Sequence, residues 1–299
     1  MLEVGLSTPD AWRPLSRALL LLPLLLTWGY LALALWLGSS DLRAWLLHRA
    51  HPGARLLGAL LLCGVLTQLP LQAALVGDGW TDAFDLALWR LYLATDAGQP
   101  WHWQLPAGLL LGLWLLGGTR GRRAWWPWGL SGILLASLAM GGHAAANGGG
   151  MGALHQLNQA LHLLAAGFWL GSLPGVLLCL QRPPAALRSD VFVLLRGYSL
   201  PGQIAVALAL LSGLLNSLLI LGLDGLFRLT PYSGLLLAKV LVVAAMVLLA
   251  LINRYVLVPR LSRDTQALPR LRRATAVEIG LGALAVALVA TLSGLDPYA

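Results

Sequence analysis

The chain has 299 residues, of which 58% are hydrophobic and only 11% are charged. Soluble domains carry roughly 25% charged residues, so this composition excludes a water-soluble globular protein. The formal net charge is +8, but the arginines cluster in short segments between hydrophobic runs, where they fix the orientation of a chain in a lipid bilayer. We therefore predict a bilayer as the surroundings of this protein and no nucleic-acid partner.

Eight hydrophobic runs predict an all-α fold, a single polytopic transmembrane domain of about eight helices. Each run is near the ~20 residues that cross a hydrocarbon core of about 30 Å. The leucine and alanine runs are continuous, which excludes the alternating pattern of a membrane barrel. The predicted spans are residues 15–37, 54–76, 104–119, 124–142, 154–180, 198–222, 233–257 and 275–295.

Residues 80–97, between the second and third spans, predict a different kind of helix. Phe84, Leu88 and Leu91 recur at helical spacing, while several aspartates interrupt the segment. A segment this polar does not cross a bilayer. We predict an amphipathic helix that lies on the membrane surface.

The arginines alternate between the two sides of the predicted bundle. They are concentrated in the connections after spans one, three, five and seven, whereas most aspartates lie in the other connections. By the positive-inside rule, the arginine-rich connections are cytoplasmic. An even number of spans then places both termini outside, on the same side as the connection between spans four and five.

The segment GGHAAANGGGMGALHQLNQALHLL, residues 141–164, holds three of the six histidines. His155, Gln159 and His162 follow steps of four and seven residues, so they share one face of the fifth span. The two histidines are about 10.5 Å apart along the axis at ~1.5 Å per residue, too far for one ion to bind both rings. We interpret them as two stations on one path, although a histidine at a helix end also commonly hydrogen-bonds a free carbonyl.

Sulfur donors flank the first histidine of this segment. Met140 and His143 are three residues apart at the end of span four, and Met151 stands before the start of span five, after the glycine linker 148–150. An imidazole and thioether set without carboxylates suits copper better than magnesium or calcium. Taken alone, each methionine is more typical of ordinary packing. His102, between two tryptophans of an outer connection, is a further candidate ligand.

Ionisable groups also occur inside the last two spans. Lys239 lies in the seventh span and Glu278 in the eighth, at depths roughly 15 Å apart along the membrane normal, which argues against a direct ion pair. We predict that Glu278 pairs with Arg254 or Arg273. Lys239 either reaches the membrane surface or faces a polar cavity that includes Asn216.

Four segments, taken in order, resemble the CopD-type copper-resistance membrane proteins from about residue 143 to residue 297. The resemblance marks His143, His162, Lys239 and Glu278 as positions that match the family pattern. The segments are GGHAAANGGG…LHQLNQALHLLAAGFWLGSL, YSLPGQIAVALALLSGLLNSLL, LTPYSGLLLAKVLVVAAMVLLALINRYVLVPRL and RRATAVEIGLGALAVALVATLSGLDP.

This resemblance implies copper handling at a bacterial inner membrane, with movement of copper from periplasm toward cytoplasm and a separate periplasmic CopC-like partner. The outer side, with both termini, is then the periplasm. We expect His143 with Met140 or Met151 to capture Cu(I) or Cu(II), and His155 and His162 to relay it inward. No P-loop, G-x-S-x-G or H-E-x-x-H motif occurs, so we predict that the protein is not an enzyme.

Two other functions are compatible with the same residues. A haem b held between His143 and His162 would make the protein a membrane electron carrier, with small neighbouring residues leaving room for the macrocycle. The second alternative is a scaffold without any cofactor. A red protein with a Soret band would indicate haem, whereas a colourless protein with stoichiometric copper would indicate the copper function.

Overall fold

The computed structural model describes residues 7–118, 123–141, 149–181, 183–226, 228 and 230–296. Every regular element in these residues is helical, which confirms the predicted all-α fold. A π-helical turn, Asn253–Leu257, joins the ninth helix to the tenth. The helices are α1 (Arg13–Trp36), α2 (Ser40–Leu66), α3 (Gln68–Val76), α4 (Leu86–Leu93), α5 (Trp101–Leu116), α6 (Trp125–Ser137), α7 (Gly149–Leu180), α8 (Arg188–Leu226), α9 (Pro231–Ile252), α10 (Val258–Arg260) and α11 (Ala267–Leu292).

Six helical segments of the described chain are long and apolar enough to cross a membrane, and they correspond to predicted spans one, two, five, six, seven and eight. α5 and α6 have 16 and 13 residues. At ~1.5 Å per residue they are about 24 and 20 Å long, shorter than a hydrocarbon core of ~30 Å. Predicted spans three and four therefore stay predictions, as does the periplasmic location of the termini. The six segments are Pro9–Trp36, Ser40–Val76, Gly150–Leu180, Ala185–Leu223, Pro231–Arg260 and Ala267–Leu292.

The second span is part of a much longer helical segment than hydropathy predicts. The predicted range is 54–76, but the helical segment begins at Ser40. Ser39 caps it, because its hydroxyl accepts a hydrogen bond from the backbone N–H of Leu42. The first turns are polar and give no hydropathy signal, yet a capped helix of ordinary helix formers is stable outside the hydrocarbon core.

The predicted surface helix at 80–97 is shorter and divided. A single 3-10 turn, Trp80–Asp82, precedes α4. Asp85 caps the N-terminus of α4, since its carboxylate accepts a hydrogen bond from the backbone N–H of Ala87 at 2.7 Å. The same aspartates that make the segment too polar to span a membrane therefore also divide it, because aspartate favours helix caps over helix interiors.

α1 lies at the centre of the bundle and packs against α2, α6, α7 and α11. The backbone of α1 is in direct contact with the backbone of α7. A Cβ added to Gly29 would lie 2.2 Å from the carbonyl oxygen of Gly167, and one added to Gly171 would lie 2.2 Å from that of Leu25. Gly167 and Gly171 form a G-x-x-x-G pair, a pattern that permits close contact between membrane helices.

The α1–α2 and α7–α8 connections meet at one end of the bundle, together with the start of α11. There the hydroxyl of Ser39 donates a hydrogen bond to Asp190, and Arg272 Nε donates to the carbonyl of Leu180 at 2.6 Å. Because Arg49 also lies there, we call it the arginine-rich end. Its composition agrees with the side that the arginine distribution predicts to be cytoplasmic.

Candidate functional site

A ladder of polar side chains joins α7 to α8. Asn158 Nδ2 donates to the backbone carbonyl of Ser212 at 2.9 Å and to Asn216 Oδ1 at 2.8 Å. Asn216 Nδ2 donates in turn to Gln159 Oε1 at 2.7 Å. The amides thus satisfy one another between two apolar helices, as buried polar groups must. The sequence prediction included Gln159 and Asn216 but missed Asn158, whose signal is its i, i+4 spacing to His162.

The bond between Asn158 and Asn216 permits a test of the ladder. In a double-mutant cycle with Asn158→Leu and Asn216→Leu, we expect a coupling of about 0.6 kcal/mol and at most ~1.7 kcal/mol, the range of hydrogen bonds between membrane helices. The measurement is the free energy of unfolding in mixed micelles. A coupling of zero would show that the two side chains do not interact.

His162 lies one helical turn beyond Asn158, in the same interface. Its Nδ1 is 3.0 Å from the backbone oxygen of Ala209 and 3.1 Å from Ser212 Oγ. A carbonyl can only accept, so Nδ1 carries the proton and the lone pair of the neutral ring is on Nε2. Within the described residues, Nε2 has no hydrogen-bond partner. A ring fixed through one nitrogen, with the other nitrogen free, is the usual arrangement of a metal-binding histidine.

The surroundings of His162 complete what we call the His162 site, formed by His162, Ala209, Ser212, Gly213 and Lys239. Gly213 leaves room for the ring, because a Cβ there would lie 3.0 Å from His162 Cε1. The half-buried Lys239 of α9 is close enough to interact electrostatically with the imidazole. In the described part of the chain, Lys239 forms neither a hydrogen bond nor an ion pair. The site therefore combines an imidazole nitrogen without a hydrogen-bond partner and a lysine amine without a counterion among the described residues.

The predicted ligands toward the start of α7 differ in their burial. His155 is buried, with 1% of its surface exposed, whereas Met140 and Met151 are 44% and 60% exposed. The fifth span is predicted to begin at residue 154, but α7 begins at Gly149 and places His155 in its second turn, not at the helix end. His143 lies outside the described residues. Among those described, no three His, Cys, Asp or Glu side chains converge in a metal-binding group.

Two other candidates have simple positions in the fold. His102 is exposed in the first turn of α5. The predicted glycine linker is wrong for Gly149 and Gly150, since both belong to the first turn of α7. Gly148 lies outside the described residues.

Glu278 is buried on α11, but its partners are neutral. Trp169 Nε1 donates to Glu278 Oε1 at 2.9 Å, and Asn253 Nδ2 lies 3.5 Å from Oε2. The predicted ion pair with Arg254 or Arg273 is wrong in the described structure. The π-helical turn begins at Asn253 and directs its amide to α11, while Arg254 donates to a backbone carbonyl of α8. Sequence reasoning missed Trp169 as a partner, although it shares a helix face with His162.

The indole bond to Glu278 predicts a difference between two substitutions at this position. Glu278→Gln keeps an oxygen that accepts from Trp169, whereas Glu278→Leu leaves the buried N–H unpaired. We expect the leucine variant to unfold with a free energy lower by about 1–3 kcal/mol than the glutamine variant. Thermal unfolding followed by tryptophan fluorescence measures the difference, and equal stability of the two variants would exclude the bond.

Six apolar helical segments and an internal polar interface define a polytopic helical membrane protein. Residues 8–153 match the family described as copper resistance protein D-like, N-terminal domain, and residues 193–292 match copper resistance protein D. The chain belongs to the copper resistance protein D family. His155 and His162 lie between the two matched regions.

Relatives of known name support this membership along most of the chain. Inner membrane protein YebZ of Escherichia coli (strain K12) is 35% identical over 279 residues, which are 92% of this chain and 94% of YebZ. Copper resistance protein D of Pseudomonas syringae pv. tomato is 32% identical, over 76% of this chain and 66% of that protein. Copper transport protein CutJ of Bacillus subtilis (strain 168) is 32% identical, over 58% and 34% respectively. No solved structure matches the chain.

Proposed function

We propose that this protein takes copper from the periplasm and moves it toward the cytoplasm through α7 and its neighbours, with His162 as the central ligand inside the membrane. Copper is the substrate in this proposal, and transport is the activity. The observation that supports this proposal most strongly is the fixed orientation of the His162 ring, which is held through Nδ1 by Ala209 and Ser212. Its Nε2 lone pair is therefore oriented and available to an ion.

The chemistry of the available donors supports copper over other ions. Imidazole and thioether ligands suit copper, whereas magnesium and calcium require oxygen ligands. Within the described residues, no carboxylate is a hydrogen-bond partner of His162. The names of two relatives, a copper resistance protein and a copper transport protein, agree with this substrate.

The proposed path begins at the periplasmic mouth between α6 and α7. Met140 and Met151 are exposed there, and they would capture the ion with His143. His155 and His162 follow on α7, about 10.5 Å apart at ~1.5 Å per residue. Because one ion cannot bind both rings at this spacing, copper would have to be transferred from His155 to His162. The burial of His155 implies that its side chain must be reached from within the bundle.

Delivery by another protein is part of the proposal. A separate periplasmic CopC-like protein would donate copper at the capture site, as the family resemblance implies. The haem alternative depends on His143 as the second axial ligand, and His143 lies outside the described residues, whereas the copper function is also supported by the names of two relatives. The copper function therefore has the stronger support.

The test uses the purified full-length chain reconstituted in vesicles that contain a copper-sensitive dye. We expect copper-dependent quenching of the internal dye that exceeds the leak of protein-free vesicles. An absorption spectrum of the same preparation, without a Soret band, excludes haem. Uptake equal to the leak, from a folded protein, would contradict transport.

A further inference from the structure

A cavity of about 530 Å³, lined by both polar and apolar side chains, opens at the arginine-rich end of the bundle. It lies between the early turns of α2, the end of α7 and the start of α11. Trp45, Arg49, Leu178, Gln181 and Arg272 are among its lining residues. Its volume falls within the ~300–1,000 Å³ of small-molecule sites. This cavity is far along α7 from the His162 site and takes no part in the proposed copper path.

Both arginines of the cavity have free guanidinium nitrogens. Arg49 forms no ion pair or hydrogen bond with the described residues, and it is exposed. Arg272 uses Nε to cap the carbonyl of Leu180 at 2.6 Å, which fixes the side chain and leaves its two Nη groups available. None of the described residues that line the cavity is acidic. Two positive charges without a counterion therefore face the same space.

The geometry points to a phosphate group as the ligand, and we propose that it belongs to an anionic phospholipid. Guanidinium groups bind phosphate oxygens in bidentate fashion, and basic pockets between membrane helices at the cytoplasmic side bind lipid headgroups. Trp45 and Leu178 supply an apolar wall beside the arginines. An indole at this level is typical of the membrane interface, where the headgroup and the acyl chains meet.

Such a lipid would connect α2 with the ends of α7 and α11. Arg49 is on α2, while Arg272 links α11 to the end of α7. A phosphate that binds both arginines would hold these ends together and would remove their mutual repulsion. Lipid binding at this cavity does not depend on copper transport, so the two proposals are tested separately.

The experiment is native mass spectrometry of the full-length protein in detergent, titrated with phosphatidylglycerol, with phosphatidylcholine and with inorganic phosphate. We expect the wild type to prefer phosphatidylglycerol, and Arg49→Gln to weaken that binding about fivefold, the effect of one arginine near an anionic headgroup. Arg272→Gln should weaken it further. The matched control is Arg263→Gln, which removes an exposed arginine of the α10–α11 connection that does not line the cavity.

Three results would overturn the proposal. The first is equal binding of phosphatidylglycerol by the wild type and Arg49→Gln. The second is an equal loss in Arg263→Gln, which would indicate only net charge. The third is arginine-dependent binding of inorganic phosphate without any preference for the lipid, which would assign the cavity to a free anion. Because Arg272 also caps α7, the exposed Arg49 decides the outcome if Arg272→Gln fails to fold.

Discussion

His162→Asn is expected to lower copper uptake into vesicles by about 100-fold, the upper end of the loss that metal sites show when even an outer-shell partner of a ligand is changed. The asparagine amide can still donate to the backbone oxygen of Ala209, so the hydrogen bond that anchors the side chain at position 162 is preserved. What the variant lacks is the Nε2 lone pair. The substitution therefore separates the ligand role of His162 from its structural role.

The control for this prediction is His48→Asn, at an exposed histidine of the arginine-rich end. We expect it to transport copper as the wild type does. His162→Ala should lose uptake as His162→Asn does, and a thermal melt of each variant confirms that it is folded. Normal copper uptake by folded His162→Asn would show that His162 is not a ligand on the transport path.

Gly171→Leu is expected to give the largest loss of stability. Even a Cβ at this position would lie 2.2 Å from the carbonyl oxygen of Leu25 and 2.9 Å from Gly29 Cα. The contact is backbone against backbone, so no side-chain rotation relieves it. Overpacking of a tight core costs typically ~1–3 kcal/mol, and a clash with backbone lies at or above that range. Separation of α1 from α7 would also displace the His162 site.

The matched control is Gly280→Leu on α11, where an added Cβ meets no atom within 4 Å. This variant introduces the same side chain into a helix at an exposed position. We expect little loss of stability there, because leucine favours helix more than glycine does. The midpoint of thermal unfolding in detergent compares the two. Equal midpoints for Gly171→Leu and Gly280→Leu would show that α1 and α7 are not in backbone contact.

Hydropathy predicts the six long apolar helical segments of the described chain, because a span must be apolar along its full length. It does not predict where a helix begins outside the membrane. α2 starts at Ser40, fourteen residues before the predicted span 54–76, since polar turns carry no hydropathy signal. A capping serine was the available signal, and Ser39 provides it.

The candidate site was predicted only in part, since contacts between helices depend on tertiary packing. His162 could be singled out because a histidine deep in a span is costly and needs a partner. Its actual partners, Ala209 and Ser212, lie 47 and 50 residues away in the sequence. Glu278 shows the same limit. A charge rule suggested arginine, whereas the structure supplies an indole N–H from Trp169.

The most direct test of the central claim is X-ray absorption at the copper edge, on copper-loaded wild type and His162→Asn. If His162 binds copper, the wild type gives imidazole scattering with a copper–nitrogen distance of about 2 Å, as for other metal–imidazole bonds. We expect this signal to weaken in the variant along with the bound copper. Identical spectra and copper content in the two proteins would contradict the account.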